Sequence, residues 1–540
     1  MDPSRLLLAS ALGLLALCII GYEAFPVGDD FAYGPLTEHR INPLLFPRDE
    51  QLRLFENHAF VYEWVYRLGK VGLGVEPTFR IAVWILAATT SVAILAVLRG
   101  LGAPFAALPL VLGLGVVVQI DGMGRGDYGG LISPFFHHHN AALALVLGAL
   151  AASLFRKSWL AGVFLGLAAY AQPMTAFHGA LIVGLGAYAR DPIEVVKIGC
   201  AAALTAIPAA VLIFGNILNV PDSAAGLDLV EDAYRYRAPL HYDPSWSDIG
   251  LTTLYLLAGC AGAALLWGQD IRLGRFAAGL VAGFALLHLV TIIVYKAGFA
   301  EWIGFFVLDA NRSTPMLFVV GPSLALAGIL RVRHGQSVWI SGVLLLAILA
   351  LNATLAGLAL VALGVLLIAT GYTARARNVF LIGVMSALAL MFPLAPKPTN
   401  LPDATLQAFE RIRTETPPDA LFIIPVSLAE FRHYTQRSAY VDFKLFSVAQ
   451  PDQAALTRAR LEEIAHPAQD HRQAQGWPGA RLWDQDQNRA ATCETMAEAL
   501  AATGADFYLR RATLKEAAPN CLSLPRPIAT STMAVYGSAN

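Results

Sequence analysis

The sequence predicts a polytopic α-helical membrane bundle of about thirteen spans, followed by a small extracytoplasmic α/β domain. Three observations predict this fold class. Hydrophobic residues make up 56% of the 540 residues and charged residues only 14%, against about a quarter in soluble domains. The apolar residues gather in runs near the length that crosses about 30 Å of hydrocarbon. These runs end at residue 394, and residues 395–540 have the composition of a water-soluble domain.

Hydropathy places the spans within residues 1–394, the predicted transmembrane domain. They are expected at 6–22, 79–98, 104–120, 139–155, 158–171, 173–189, 197–218, 249–267, 276–295, 313–330, 337–351, 353–371 and 378–394. The fifth and sixth spans are short and could form a re-entrant pair, and only a tight turn separates the eleventh from the twelfth. The first run lacks a small-x-small cleavage site, so we expect a retained span.

The charges of the loops predict the orientation of the bundle. With the N-terminus inside, every inner loop is basic, whereas the short outer loops hold many acids and few bases. The inner bases are Arg5, Arg99, Arg156, Lys157, Arg190, Lys197, Arg272, Arg275, Arg331, Arg333, Arg375 and Arg377. The positive-inside rule therefore predicts that the C-terminal domain lies outside the cytoplasm.

Two outer loops are longer than a connection requires, and long ordered loops often carry function. Residues 23–78 form the first loop, and residues 219–248, which are acidic and rich in tyrosine, form the second. In the first loop, five residues share one face at helical spacing, which predicts an amphipathic helix lying in the membrane interface. They are Leu52, Phe55, Ala59, Tyr62 and Tyr66.

The C-terminal domain alternates helix and strand signals, which is typical of a small layered α/β domain. We expect helices at 405–415, 451–464 and 491–503, strands at 420–425, 439–443, 506–509 and 533–536, and a loop at 466–490. Cys493 and Cys521 both lie in this external, oxidising compartment, which predicts a disulfide between them. Two separate thiols are the alternative.

Asp29 and Asp30 form an acidic pair a few residues past the end of the first span. Charge so close to hydrocarbon is costly, so such a pair is more often functional than it would be on a soluble surface. The structural alternative is a cap or turn within the loop, where aspartate is common.

These features together resemble the GT-C superfamily of membrane glycosyltransferases. The resemblance rests on the N-inside bundle, the acidic motif in a long first outer loop with an interfacial helix, and the external α/β domain. Residues 416–425 and 431–444 also resemble a domain that follows such bundles in many bacterial membrane proteins, and the stretch specific to that family is Arg437–Lys444. The resemblance implies inverting transfer of a sugar from a polyprenyl-phosphate-linked donor to a glycan, lipid or protein acceptor. It places the reaction on the outer, periplasmic face of a bacterial inner membrane.

The resemblance also implies roles for the acids. One of Asp29 and Asp30 would be the base that takes the acceptor proton, while the other orients the acceptor or binds a divalent ion such as Mg²⁺ or Mn²⁺. Asp127, in the glycine-rich second outer loop, matches a second acidic motif of the superfamily, with Asp121 in reserve. Asp127 and His138 are candidate ligands of that ion. Three consecutive helical histidines cannot all face one ion, and packing at a helix mouth is their alternative role.

Cations are needed to hold the departing phosphate. Arg312, just outside the tenth span, could bind it bidentately, or it could be a snorkelling arginine at the interface. Arg235, Arg237 and His58 of the two long loops are further candidates for contact with the acceptor or the phosphate.

Four charged residues of the external domain form a separate group. We expect them to build a buried salt-bridged scaffold, and contact with the lid of the site is the alternative. They are Arg432, Arg437, Asp442 and Lys444.

Other functions are less well supported by the sequence. A net charge of −1 and the lack of a basic-aromatic stripe argue against nucleic-acid binding. A transporter or flippase of a lipid-linked glycan would need charged residues within the spans, and these are nearly absent. A non-catalytic assembly subunit of an envelope complex stays open.

Overall fold

The computed structural model describes residues 2–54, 60–105, 107–121, 130–217, 244–293, 310–331, 401–446, 451–465, 476–511, 521 and 528–538. Within these ranges the chain forms a bundle of apolar helices and a small C-terminal α/β region. The three last predicted spans, at 337–394, lie outside the described residues.

The apolar helices follow the predicted spans closely. They are α1 (Pro3–Ile20), α5 (Val75–Gly100), α6 (Ala107–Asp121), α7 (His138–Leu154), α8 (Ser158–Ala171), α9 (Pro173–Arg190), α10 (Pro192–Ile217), α11 (Trp246–Gln269), α12 (Ile271–Thr291) and α13 (Thr314–Arg331). In the described ranges, six helices are long and apolar enough to cross a membrane. The helical membrane-type bundle is thus confirmed, and the count of thirteen spans stays a prediction.

Contacts between helix ends show on which side of the bundle α7 and α9 begin and end. The Arg190 guanidinium, at the end of α9, donates to the carbonyl oxygen of Ser153 at the end of α7. At the other end of the same two helices, His139 Nδ1 lies 2.7 Å from the Thr175 hydroxyl. The ends of α7 and α9, near Ser153 and Arg190, therefore lie on one side of the bundle, and the starts of these helices, near His139 and Thr175, lie on the other side. This arrangement is the one that the predicted inner and outer loops require.

Small residues allow the helices to pack closely. A Cβ atom at Gly279 of α12 would lie 2.3 Å from the carbonyl oxygen of Leu185 in α9, so only glycine permits this approach. Such contacts replace the hydrophobic driving force that is missing between helices in lipid.

The first outer loop holds three helices: α2 (Asp30–Ile41), α3 (Glu50–Arg53) and α4 (Phe60–Val71). The expected amphipathic helix corresponds to α4, which buries Tyr62 and Tyr66. Its other side exposes Trp64 and Leu68, a distribution that suits a helix at an apolar interface. Leu52 belongs to the separate one-turn helix α3, so the predicted face does not run through the loop as one helix.

The C-terminal region folds around a five-stranded sheet in the order β2-β1-β3-β5-β4. The strands are β1 (Leu421–Ile423), β2 (Ser438–Ala439), β3 (Phe507–Arg511), β4 (Ile528–Ala529) and β5 (Met533–Gly537). Strand β1 is parallel to β2 and β3, with Phe422 opposite Phe507, whereas β5 is antiparallel to β3 and β4. Leu421 and Ile423 point into one apolar core and Phe422 into another, so both faces of the sheet are covered.

The helices of this region are α14 (Asp403–Glu415), α15 (Phe431–Thr435), α16 (Pro451–Ile464), α17 (Gly476–Ala490) and α18 (Cys493–Thr503). The loop expected at 466–490 is wrong over residues 476–490, which form α17. Its many polar residues explain the wrong prediction: Gln485 and Arg489 lie on the solvent face, whereas Asp484 and Gln487 are buried beside Ala480 and Trp483. A disulfide joins Cys493 to Cys521.

A buried arginine joins the first outer loop to the C-terminal region. The guanidinium of Arg432 is fully buried and forms ion pairs with Asp49 and Asp442. Its Nε lies 2.5 Å from Asp49 Oδ2, and its Nη2 also donates to the Gln51 side chain. Gln51 in turn bonds to both the amide and the carbonyl of Asp442. Residues 49–51 of the loop are therefore held as part of the C-terminal core.

The expected scaffold is only partly as predicted. Arg432 and Asp442 do form buried ion pairs, and Arg437 donates to Thr416 and to backbone carbonyls. Lys444 is not part of this network, because its ammonium group points to the carboxylate of Asp29.

Replacing the buried arginine should be strongly destabilising. Arg432→Met would leave the carboxylates of Asp49 and Asp442 buried without a cation, at a cost of about 3–5 kcal/mol. Arg411→Met is the matched control, because Arg411 pairs with Glu415 on the surface and such pairs contribute only about 0–1 kcal/mol. Thermal unfolding of the two variants in detergent tests this. Equal unfolding temperatures would contradict the assigned role of Arg432.

Candidate active site

The candidate site lies at one end of the bundle, where three parts of the chain meet. Helix α2 begins at Asp30, directly after the turn that follows α1, and the carbonyl of Asp29 accepts the first helical hydrogen bonds from Ala32 and Tyr33. His137 precedes α7, and Lys444 comes from the C-terminal region. The fold therefore brings together side chains that are far apart in the sequence.

Asp29 is held between two cationic or basic groups. Its Oδ1 lies 2.5 Å from Lys444 Nζ, and its Oδ2 lies 3.2 Å from His137 Nε2. Burial alone would raise the pKa of this carboxyl, but Lys444 and His137 outweigh burial and hold the pKa well below its usual range. Asp29 is thus ionised at neutral pH, and with 26% of its side chain exposed a ligand can reach it.

Asp30 has the opposite character. Only 2% of it is exposed, and burial raises the pKa of its carboxyl to about 8, while the Val27 amide acts in the lowering direction. Its Oδ2 accepts from that amide at 2.8 Å. Its Oδ1 and the buried hydroxyl of Tyr62 have no hydrogen-bond partner among the described residues. The Tyr62 hydroxyl is nevertheless close enough to act on the Asp30 carboxyl, in the direction that lowers the Asp30 pKa.

Two adjacent carboxyl groups thus differ in protonation at neutral pH. Asp29 is an anion, and Asp30 is a neutral acid that can donate a hydrogen bond. Pairs of titratable groups whose surroundings push their pKa values apart are typical of acid–base sites.

The three consecutive histidines divide between two environments. His137 and His138 stack near each other, with ring centroids 4.7 Å apart, whereas His139 turns into the bundle and bonds to Thr175. One ligand atom from each of Asp29, His137 and His138 lies within 4.8 Å of the others. Two imidazole nitrogens and a carboxylate oxygen are a donor set that suits a divalent transition metal.

The remaining predicted residues have different outcomes. Arg312 lies in the 3₁₀ turn Ala310–Ser313, close enough to act electrostatically on His138 and His139. His138 is a candidate metal ligand together with Asp29 and His137. Its other predicted companion, Asp127, lies outside the described residues, as do His58, Arg235 and Arg237.

Sequence reasoning missed the roles of Lys444 and Tyr62 at the site. The sequence favours a scaffold role for Lys444, with contact to the lid of the site as the alternative, and it predicts Tyr62 on the apolar face of an interfacial helix. The only signal for Tyr62 was its spacing of four from Tyr66, since both tyrosines face acids of α2. For Lys444 the sequence gives a family-like stretch but no hint of its partner.

Comparison with known proteins covers a small part of the chain. Residues 403–464 match a family described as a domain of unknown function (DUF6798). The match runs from α14 to α16 and includes both Arg432 and Lys444. No curated protein matches the chain.

The two aspartates should respond oppositely to pH. The folded state keeps the Asp30 proton up to about pH 8, whereas an unfolded chain loses it near pH 4. The free energy of unfolding therefore falls as pH rises through this window. Asp30→Asn removes this decrease in the free energy of unfolding. The variant should therefore unfold about 2 °C or more above the wild type at alkaline pH, and its unfolding temperature should not exceed that of the wild type at pH 4.

Asp29→Asn is the internal comparison for this measurement. Its carboxylate is stabilised in the ionised form, so the variant should lose stability at neutral pH and approach the wild type as pH falls below about 4. Thermal unfolding from pH 2 to 9 measures both variants. The same pH dependence in Asp29→Asn and Asp30→Asn would contradict the assigned protonation states.

Proposed function

We propose that the protein is a membrane glycosyltransferase that transfers a sugar from a polyprenyl-phosphate-linked donor to an acceptor on the outer face of a bacterial inner membrane. The observation that carries the proposal is the pair Asp29 and Asp30, one ionised and one neutral, at the mouth of an apolar bundle. The resemblance to GT-C enzymes supplies the substrate class.

Asp29 is the proposed base because it is ionised and accessible. The acceptor hydroxyl or amide gives its proton to the Asp29 carboxylate as its oxygen or nitrogen attacks the anomeric carbon. The bond from that carbon to the phosphate oxygen breaks with inversion, and the electron pair leaves with the polyprenyl phosphate. Asp30, as a neutral acid, donates a hydrogen bond that fixes the acceptor or the Asp29 carboxylate.

The developing phosphate charge needs cations nearby. Lys444 and Arg312 are the described candidates, since one contacts Asp29 and the other acts on His138. A divalent ion would be held by Asp29, His137 and His138 and would stabilise negative charge on the leaving group. This donor set suits Mn²⁺ better than Mg²⁺, which prefers oxygen ligands.

A non-catalytic assembly subunit is the second candidate. The contact between Lys444 and Asp29 favours it, because a carboxylate already neutralised by a lysine also serves as a structural joint. Transfer activity separates the two candidates.

Loss of either acid should reduce sugar transfer. We expect Asp29→Asn to lower transfer of radiolabelled sugar from polyprenyl-phosphate donors in membranes by about 100-fold or more. Glu415→Gln, which alters only a surface ion pair, is the control. Full activity in Asp29→Asn would refute the base assignment, and a rate that rises with a midpoint near pH 8 would move that role to Asp30.

The orientation gives a separate test. In a background with Cys18, Cys200 and Cys260 replaced by serine, Asp419→Cys in the C-terminal region should react with a membrane-impermeant maleimide in intact cells. Arg272→Cys, in the first turn of α12, should react only after the inner membrane is opened. The reverse pattern would place the C-terminal region in the cytoplasm and exclude transfer on the outer face.

A further inference from the structure

A cavity lies near the acidic pair, and its lining does not include Asp29 or Asp30. It has a volume of about 340 Å³ and sits between α2, α4 and the α15 segment of the C-terminal region. Its walls include Phe25, Glu38, Tyr66, Lys70 and His433. The volume falls within the range of about 300–1,000 Å³ that is usual for small-molecule pockets.

The cavity and the acidic pair share two helices. Asp30, Gly34 and Glu38 follow each other at a spacing of four residues along α2, which places them on one helical face. Tyr62 and Tyr66 have the same spacing on α4, where Tyr62 acts on Asp30 and the Tyr66 hydroxyl donates to Glu38 at 2.6 Å. The cavity therefore lies two turns along α2 from the proposed catalytic carboxyl groups.

Gly34 lies between the acidic pair and the cavity, where α2 packs against α4 and His433. A Cβ atom there would lie 3.5 Å from His433 Nδ1 and 3.7 Å from the Tyr62 hydroxyl. The gap at Gly34 therefore has the size of a methyl group, and this close contact joins the two sites through the same face of α2.

The polar groups of the cavity are balanced in charge. Glu38 is paired with Lys70, Glu76 with Arg80, and Arg432 with two aspartates. Burial lowers the pKa of His433 to about 4, so its ring is neutral with one donor and one acceptor nitrogen. None of the described residues hydrogen-bonds to this ring. Such a lining favours a neutral ligand with many hydroxyl groups over an anion such as free phosphate.

Aromatic rings supply the apolar part of the lining. The rings of Phe25 and Tyr66 have centroids 6.2 Å apart, and the His433 ring lies 5.5 Å from Phe25. Flat apolar walls with a few polar groups suit the C–H face of a sugar ring, whose hydroxyls then reach Glu38, Lys70 and His433.

We propose that this cavity binds a neutral sugar ring, as the acceptor subsite of the transferase. The role as acceptor rests on the proposed function, whereas the binding itself does not. The sugar could belong to a free glycan or to the headgroup of a glycolipid, since both present the same ring.

Direct binding tests the proposal without any transfer assay. The full-length protein in sugar-free lipid nanodiscs is mixed with methyl glycosides of glucose, galactose, mannose and N-acetylglucosamine, and saturation-transfer NMR detects bound rings. A second arm places a glucosyl diacylglycerol in the nanodisc and measures whether it competes. Competition at low lipid fractions assigns the sugar to a glycolipid, and its absence assigns it to a free glycan.

Substitutions in the cavity lining show whether the sugar binds there. Glu38→Gln and Lys70→Met should each weaken binding by about tenfold or more, because each removes a hydrogen bond to a charged group. Glu63→Gln is the matched control on α4, since Glu63 pairs with Arg40 outside the cavity lining, and it should bind as the wild type does. Matching unfolding temperatures confirm that the variants are folded.

Two results would overturn the proposal. One is that neither the methyl glycosides nor the glycolipid binds the wild type. The other is binding that Glu38→Gln and Lys70→Met leave unchanged. Binding without any sugar transfer would refute the proposed function but keep the cavity as a sugar site. Transfer that depends on Asp29, without binding in the cavity, would refute only the subsite.

Discussion

The buried ion pairs of Arg432 are the interaction on which the contact between the C-terminal region and the first loop depends, and with it the site around Asp29. A guanidinium with no exposed surface is tolerable only when carboxylates surround it. Here Asp442 comes from the same region, while Asp49 comes from a loop almost four hundred residues earlier in the chain. Their joint burial fixes the C-terminal region against the first outer loop. That docking sets both Lys444 against Asp29 and His433 above the cavity.

From this docking follows the electrostatic difference between the two adjacent aspartates. Asp29 meets a lysine and a histidine that the fold delivers from other segments, so its anion is stabilised. Asp30, one residue later, turns into α2 and is buried, and burial outweighs the opposing effects of the Val27 amide and Tyr62, so its proton is retained. A difference in orientation at the start of one helix thus gives two chemically identical carboxyl groups opposite shifts in pKa. Both the proposed acid–base chemistry and the adjacent cavity use the same faces of α2 and α4.

Much of the fold could be predicted from the sequence, because hydropathy and alternation are local signals. The helices α1 and α5 to α13 lie where apolar runs occur, and β1, β3 and β5 lie where short apolar runs follow turns. The helix α17 was missed because polar residues occupy both of its faces: the buried face includes Asp484, whose carboxylate accepts from the Val426 and Ser427 amides. Asp29 and Asp30 could be singled out by their position, but their protonation could not. It depends on Lys444 and Tyr62, whose approach is set by tertiary packing that no pattern along the chain records.

The arrangement around Arg432 also bears on how the matched segment 403–464 should be understood. Several of its polar groups have partners outside the segment: Arg432 and the Ala439 amide bond to Asp49, and the Asp442 amide bonds to Gln51. In the isolated segment, these donors would be exposed to solvent or would be buried without an acceptor. It is therefore half of a composite unit rather than an independent module. In this chain, expression or engineering of the segment therefore also requires the loop that carries Asp49 and Gln51, which lies in a different part of the sequence.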